Sequence, residues 1–287
     1  MLGRRTLLTA GTATAAALLT GAPAHATTDR LRLLERQHGA RLGVFAYNVR
    51  TRRTVTHRAD ELFPMCSVFK TLASAAVLRD LDRDGEFLGR RIHYTEADLP
   101  KSGSDKTREH LAEGMTVAEL CEVAITYSDN GAGNLLLREL GGPTAITRFA
   151  RSLGDPVTRL DRWETELNSA EPWRVTDTTS PRAVGRTYGR LVLDDALNRP
   201  DRRLLTHWLL SNTTSGKRFR AGLPKTWTVA DKTGSGSYGT TNNVGVAWTP
   251  DGTPVVLSVL STKPAQDAAW DDALVAETAA LLSELLV

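Results

Sequence analysis

Ser67 stands one helical turn ahead of Lys70 in the stretch FPMCSVFKTLASAAVL. A serine hydroxyl is a poor nucleophile until a neighbouring base takes its proton, and a three-residue spacing on a helix puts the lysine on the same face. The pair alone is weak. With 15 Ser and 7 Lys in the chain, about 0.4 such pairs arise by chance composition. Three further features give it weight by following in order: Ser128-Asp129-Asn130, Glu164-x-x-Leu167-Asn168 and Lys232-Thr233-Gly234. Each has an ordinary reading too. Ser-Asp-Asn is good helix-stop chemistry, and a loop glutamate is commonly a solvated acid, although Trp163 beside Glu164 argues for partial burial.

Several elements must position these groups. Residues 41–48 and 53–58 read as a hairpin. The segment 67–81 is a helix apolar nearly all round, hence buried, and Pro64 suits its approach. Thr116 followed by Glu119 forms a capping box for a helix that breaks at Ser128–Gly131. A short helix then ends at Gly141-Gly142, and Pro143 begins another. From 154 to 180 periodicity disappears. A loop of that length inside a compact domain is usually functional. Pro181 starts a further helix. Strand patterns return at 227–232, 243–248 and 254–261, with Asp251-Gly252 turning between the last two, and a final helix covers 271–286. Strands at both ends with helices between them predict an antiparallel sheet flanked by helices, with an all-helical lobe inserted. The α/β lobe takes 27–61 and 213–287, and the all-α lobe takes 62–212.

Composition narrows the setting. The chain has 287 residues, 41% hydrophobic and 6% aromatic, enough for a sizeable core built mainly from Ala, Leu and Val. Residues 1–26 hold no acid, carry Arg4-Arg5 ahead of an apolar run, and end in Ala24-His25-Ala26. That pattern is a secretory signal, and the adjacent arginines favour the twin-arginine route. Its removal lowers the formal charge from +3 by two arginines, so no polyanion partner is indicated and nucleic-acid binding has no support. Cys66 and Cys121 read as two buried free thiols. The 6 His show no pair at helical ligand spacing, so no metal and no other cofactor is expected.

Taken together, Ser67-x-x-Lys70, Ser128-Asp129-Asn130, Glu164-x-x-Leu167-Asn168 and Lys232-Thr233-Gly234 resemble the active-site serine penicillin-recognising enzymes, specifically the class A β-lactamases. The likeness spans essentially the whole chain after the signal. It implies the serine β-lactamase fold, a small-molecule β-lactam substrate, and a secreted monomer with no membrane attachment once the signal is gone. Ser67 would be the nucleophile, with Lys70 beside it and Ser128 passing a proton to the leaving nitrogen. Glu164 would activate the water that deacylates the enzyme, with Asn168 completing that water's hydrogen bonds. Whether Lys70 or Glu164 takes the serine's proton stays open. Asn130, Lys232, Thr233, Gly234 and Ser235 would contact the substrate, the backbone N–H groups of Ser67 and Ser235 forming the oxyanion hole. Gly234 is read as leaving room for the ligand. Arg162 and Asp177 would pair across the neck of the omega-type loop 154–180.

Two departures stand out. Many relatives carry an arginine on the strand after Lys-Thr-Gly, where this chain has Thr240-Thr241; Arg218, not Arg220, matches the alternative arginine. Where an aromatic residue commonly borders the pocket, this chain offers Gly103 and Ser104. Cys66 has Gly236 at the position of a second cysteine found in some carbapenem-hydrolysing members, so that bridge is not expected. The alternatives are a penicillin-sensitive D-Ala-D-Ala peptidase, which lacks the Glu-x-x-Leu-Asn loop, and a non-catalytic β-lactam sensor.

Overall fold

The computed structural model describes residues 24–287. The expected signal, residues 1–26, lies outside the described residues except at its end, where helix α1 (Ala24–His38) begins. This helix was not anticipated from the sequence; it lays Leu31 against the sheet and against the last helix.

Five strands form one antiparallel sheet. β1 (Arg41–Asn48) and β2 (Thr54–His57) are the expected hairpin. β3 (Thr228–Ser235), β4 (Thr241–Trp248) and β5 (Pro254–Thr262) form the late meander. The order across the sheet is β2-β1-β5-β4-β3. β3 is therefore an edge strand, and it carries Lys232, Thr233, Gly234 and Ser235. β1, β4 and β5 are buried along almost their whole length, so both faces of the sheet are covered. Continuous apolar runs such as Val255–Leu257 reflect that double coverage rather than simple alternation.

The helix that carries Ser67 is built in three parts. Cys66–Val68 is a 3₁₀ turn, α2 (Phe69–Ala76) is α-helical, and Val77–Leu81 closes it with a wider π turn. Every residue of α2 is buried, as its lack of a polar face requires. α3 (Val117–Thr126) begins with the Thr116/Glu119 capping box. α4 (Asn130–Glu139) is capped by the Asp129 carboxylate on the Ala132 amide, and α5 (Thr144–Ser152) follows. α6 (Pro181–Val192) has Ser180 as its cap and Pro181 in its first turn. Although 181–192 falls in the segment assigned to the helical lobe, α6 packs on the sheet: a side chain at Gly185 would collide with Phe45 of β1. α7 (Arg199–Leu210) was missed in the sequence, although Asn198 caps it, a proline sits in its first turn and Leu205, Trp208 and Leu209 line its buried face. α8 (Asp272–Leu286) closes the chain.

One apolar core lies between α1, α8 and the outer sheet face, with Leu42, Val255, Leu257, Val259, Leu274 and Leu282 at its centre. The other joins the inner sheet face to the helices as a single cluster containing Val244, Val256, Phe69, Leu72, Leu120 and Leu136. The helical segment and the sheet thus share a core, and the cleft opens where they meet.

Candidate active site

The cleft has a volume of about 1070 Å³ and is lined by Ser67, Ser128, Asn130, Asn168, Thr233 and Ser235 among others. Four separate elements converge on Ser67. Its hydroxyl donates to Glu164 Oε1 at 3.0 Å and accepts from Lys70 Nζ at 2.9 Å. Lys70 Nζ also donates to the Ser128 carbonyl at 2.7 Å and to Asn130 Oδ1 at 2.6 Å, and it lies 3.0 Å from Glu164 Oε1. The Lys70 and Glu164 side chains have no solvent exposure. A charge pair so deeply buried persists only with further hydrogen bonds on both partners, and those bonds are what fix the three groups around one oxygen.

The chain enters this helix under strain. Cys66 has φ 47° and Ser128 φ 59°, left-handed conformations that cost a non-glycine residue about 1–2 kcal/mol each. The surroundings that impose them are visible. Asn242 Nδ2 holds the carbonyls of Pro64 and Met65, and the Met65 amide donates to the Asp177 carbonyl at 2.8 Å. Asp129, next to Ser128, receives the Lys106, Thr107 and Ala132 amides and the Thr107 hydroxyl. It braces the turn.

Glu164 is held from a helix that the sequence reading did not credit. Asn134 Oδ1 accepts from the Glu164 amide and Asn134 Nδ2 donates to the Glu164 carbonyl, both at 2.9 Å. Its position four residues after Asn130, on the same face of α4, was the available signal. Trp163 is 40% exposed and does not account for the burial of Glu164; α4 and the helix of Ser67 do. Asn168 Nδ2 donates to Glu164 Oε2 at 2.5 Å. The Asn168 Oδ1 atom is buried without a hydrogen-bond partner. The loop neck is closed by Arg162 Nε on Asp177 Oδ2 at 2.5 Å, while Asp177 Oδ1 receives the Asp161 and Arg162 amides.

On β3, Lys232 is fully buried and donates to the Thr233 carbonyl. Burial, reinforced by the charge of Lys70, pushes its ammonium well below the usual lysine range. Thr233 Oγ1 meets Thr214 Oγ1 at 2.5 Å, a second contact not anticipated. Arg218 donates to the carbonyls of Gly234 and Asn242 and to Ser235 Oγ, and its Nε pairs with Asp272 at 2.6 Å. Arg220 instead turns toward Asp231, Ser215 and the carbonyls of Leu210 and Val229. Of the two, Arg218 is the one brought to the cleft.

Three glycines correct or sharpen the sequence reading. A Cβ on Gly234 would lie 3.0 Å from the Met65 carbonyl and 3.1 Å from Val68; the glycine makes room for the helix of Ser67, and only its backbone faces the cleft. Gly103 lines the cleft with φ +69°, whereas Ser104 is fully buried behind it. A Cβ on Gly236 would lie 2.8 Å from Cys66 Sγ. Cys66 and Cys121 are both free and buried, and burial holds both thiols far toward their neutral form.

The model of the β-lactamase enzyme family matches residues 26–286. The chain belongs to that family. It is 63% identical to a β-lactamase of Streptomyces albus G, over 99% of this chain and 97% of that protein. The solved structure of the β-lactamase from Streptomyces albus G superposes with a TM-score of 0.88, at 67% identity, over 91% of this chain and all of the other. An ancestral class A β-lactamase superposes with a TM-score of 0.86, at 51% identity, over 90% and 99% of the two chains. The family expected from the four motifs is thus the one found, and the enzyme is a serine β-lactamase.

Proposed function

We propose that this β-lactamase opens the β-lactam ring by transferring the acyl group to Ser67 and then hydrolysing the seryl ester with a water activated by Glu164. Hydrolysis of β-lactams, and with it resistance, is the activity of the family to which the chain belongs. The observation that carries the residue assignment is that Asn168, whose Nδ2 donates to Glu164 Oε2, keeps its Oδ1 buried and without a hydrogen-bond partner next to that carboxylate. A water there would give one proton to the carboxylate and the other to the amide oxygen, leaving a lone pair for the ester.

In acylation, the Ser67 hydroxyl donates to Glu164 while accepting from Lys70. Glu164 and Lys70 both stand within hydrogen-bond reach of the hydroxyl, so Lys70 can take the proton when Glu164 is removed or displaced, and the group that does not take it steadies the oxygen as it becomes anionic. Attack on the ring carbonyl breaks the C–N bond and the departing nitrogen takes a proton from Ser128; the proton removed from Ser67 then passes across the Lys70–Glu164 contact and on to Ser128, which leaves Glu164 ionised and Lys70 protonated for deacylation. The negative carbonyl oxygen would be met by the N–H groups of Ser67 and Ser235, brought together because Gly234 lets β3 pack directly on the Ser67 turn. Each such donor is worth about 3 kcal/mol in the transition state. Lys232, Thr233 and Arg218 would hold the substrate carboxylate, and Asn130 the side-chain amide. In deacylation, Glu164 takes the proton of water, hydroxide adds to the ester carbonyl, and Ser67 leaves with a proton.

The decisive experiment is Glu164→Ala exposed to benzylpenicillin and examined by intact-mass spectrometry. A stoichiometric covalent adduct that persists for minutes is expected. Unimpaired turnover without an adduct removes Glu164 from deacylation.

The enzyme is further read as a monomer, exported folded by the twin-arginine route and free of the membrane. Arg4-Arg5 in the acid-free leader supports export, and no described helix is long and apolar enough to cross a membrane. N-terminal sequencing of the extracellular protein tests the route and the cut, and sedimentation tests the monomer.

A further inference from the structure

Trp270 is 61% exposed, yet it is not a stray surface residue. Its indole Nε1 donates to the Gly236 carbonyl at 3.0 Å, which seats the ring at the outer end of β3. It is the one aromatic residue lining the cleft among the described residues, and the opposite rim, Ser102-Gly103, carries no large side chain. Its two successors are pinned. The Asp271 amide donates to Thr241 Oγ1 and its carboxylate meets Lys263, while Asp272 pairs with Arg218. The ring is thereby tied through its indole nitrogen and through the chain that follows it, while most of it stays exposed to solvent.

β3 gives the direction. Lys232 and Thr233, assigned above to the substrate carboxylate, come first; Ser235, assigned to the oxyanion, follows; Gly236 and Ser237 lie beyond. A substrate laid along the strand in that sense carries its acylamino substituent away from the carboxylate and toward Gly236. We propose that Trp270 is a specificity-determining residue, an aromatic wall against which the acyl side chain of the β-lactam packs, favouring side chains with an aromatic or heteroaromatic ring. This assignment rests on the proposed function above for the direction of the bound substrate. A rigid, pre-seated ring offers contact area at little entropic cost, and an aromatic pair gains beyond simple burial, by about fivefold in affinity.

The test compares benzylpenicillin with 6-aminopenicillanic acid, which share a nucleus and differ in the phenylacetyl group. In Trp270→Ala the ratio of kcat/KM between the two should fall about fivefold, with the change in KM rather than kcat, and Trp270→Phe should restore most of it. A second pair, two cephalosporins with one acyl group and different C3 substituents, should keep its ratio. An unchanged penicillin ratio overturns the proposal. So does a uniform loss on every substrate, which would make Trp270 a brace for the 236–240 turn, or a shift confined to the C3 pair. These ratios are read in variants that still turn over. Failure of the acyl-serine reading would show separately, as no adduct on Ser67 in Glu164→Ala.

Discussion

Replacing Asp177 by asparagine removes one charge while keeping a residue type that tolerates the φ of 58° found there. The asparagine can still turn its oxygen toward the Asp161 and Arg162 amides. Its NH₂ then faces Arg162 Nε, donor against donor, where a 2.5 Å ion pair had been. Asp177 is 1% exposed and the Arg162 side chain 23%, so the arginine is left partly buried with Ser169 Oγ in hydrogen-bond contact and the Glu171 carboxylate 3.8 Å away. Breaking a buried pair in this way costs about 3–5 kcal/mol, and the remaining contact argues for the lower end, about 3 kcal/mol. For a domain of this size that is a fall in Tm of about 6–12 °C. Function should suffer unevenly. Asp177 also anchors Met65 through its carbonyl, a backbone contact the substitution keeps, so the Ser67 entrance stays in place while the span bearing Glu164 loosens. A displacement of about 1 Å at a reacting group costs about 100-fold. Stopped-flow hydrolysis of a chromogenic cephalosporin should therefore show a product burst followed by a slowed steady state. If the Tm moves by less than about 2 °C and no burst develops, the neck does not position the carboxylate.

Other expectations follow from the same geometry. Gly103→Ala should reduce kcat/KM, because the new Cβ would sit 2.5 Å from Asn130 Nδ2 at a φ of +69° and push aside a partner of Lys70; unaltered kinetics would show that the rim yields freely. Because Lys232 releases its proton well below the usual lysine range, kcat/KM for carboxylate-bearing substrates should fall as pH rises, starting earlier than an ordinary lysine would allow. That quantity reports the free enzyme, and a carboxylate ester of the same substrate should lack this limb. Arg218→Ala should raise KM for carboxylate-bearing substrates, since Ser235 Oγ and the Gly234 carbonyl lose their common partner; an unmoved KM would return the carboxylate to another cation. A disulfide-exchange reagent should find no reactive thiol in the native protein and two after denaturation, as the burial of Cys66 and Cys121 requires.

What could be read from the sequence was the chemistry that sits on strongly patterned elements. Ser67 and Lys70 lie on a helix whose apolar faces declare it buried, and Lys232-Thr233-Gly234 lies on a strand marked by its flanking turns. Asp129 follows from helix-stop chemistry, and it does cap α4. Other parts depend on contacts between residues far apart in the chain, which no local period records. The clamp of Asn134 on Glu164, the approach of Thr214 to Thr233 and the hydrogen bonds of Arg218 to β3 and β4 are of this kind. Gly234 shows how a local argument misdirects: a glycine beside a ligand site suggested space for the ligand, whereas the missing side chain makes way for Met65 and Val68. α7 was legible from Asn198, Pro200 and its apolar face, but its charged first turn masked the period.

Asn130 and Asn134 ride on one rigid rod of 10 residues, the first touching Lys70 and the second gripping both backbone polar groups of Glu164. Any tilt of that rod moves Glu164 and the anchor of the ammonium together against a Ser67–Lys70 pair carried on a separate helix, so the 3.0 Å contacts of Glu164 with both cannot survive a change in aperture made that way. Adaptation to bulkier antibiotics therefore has to leave α4 where it is and widen the opening at a part of the rim that carries none of these contacts.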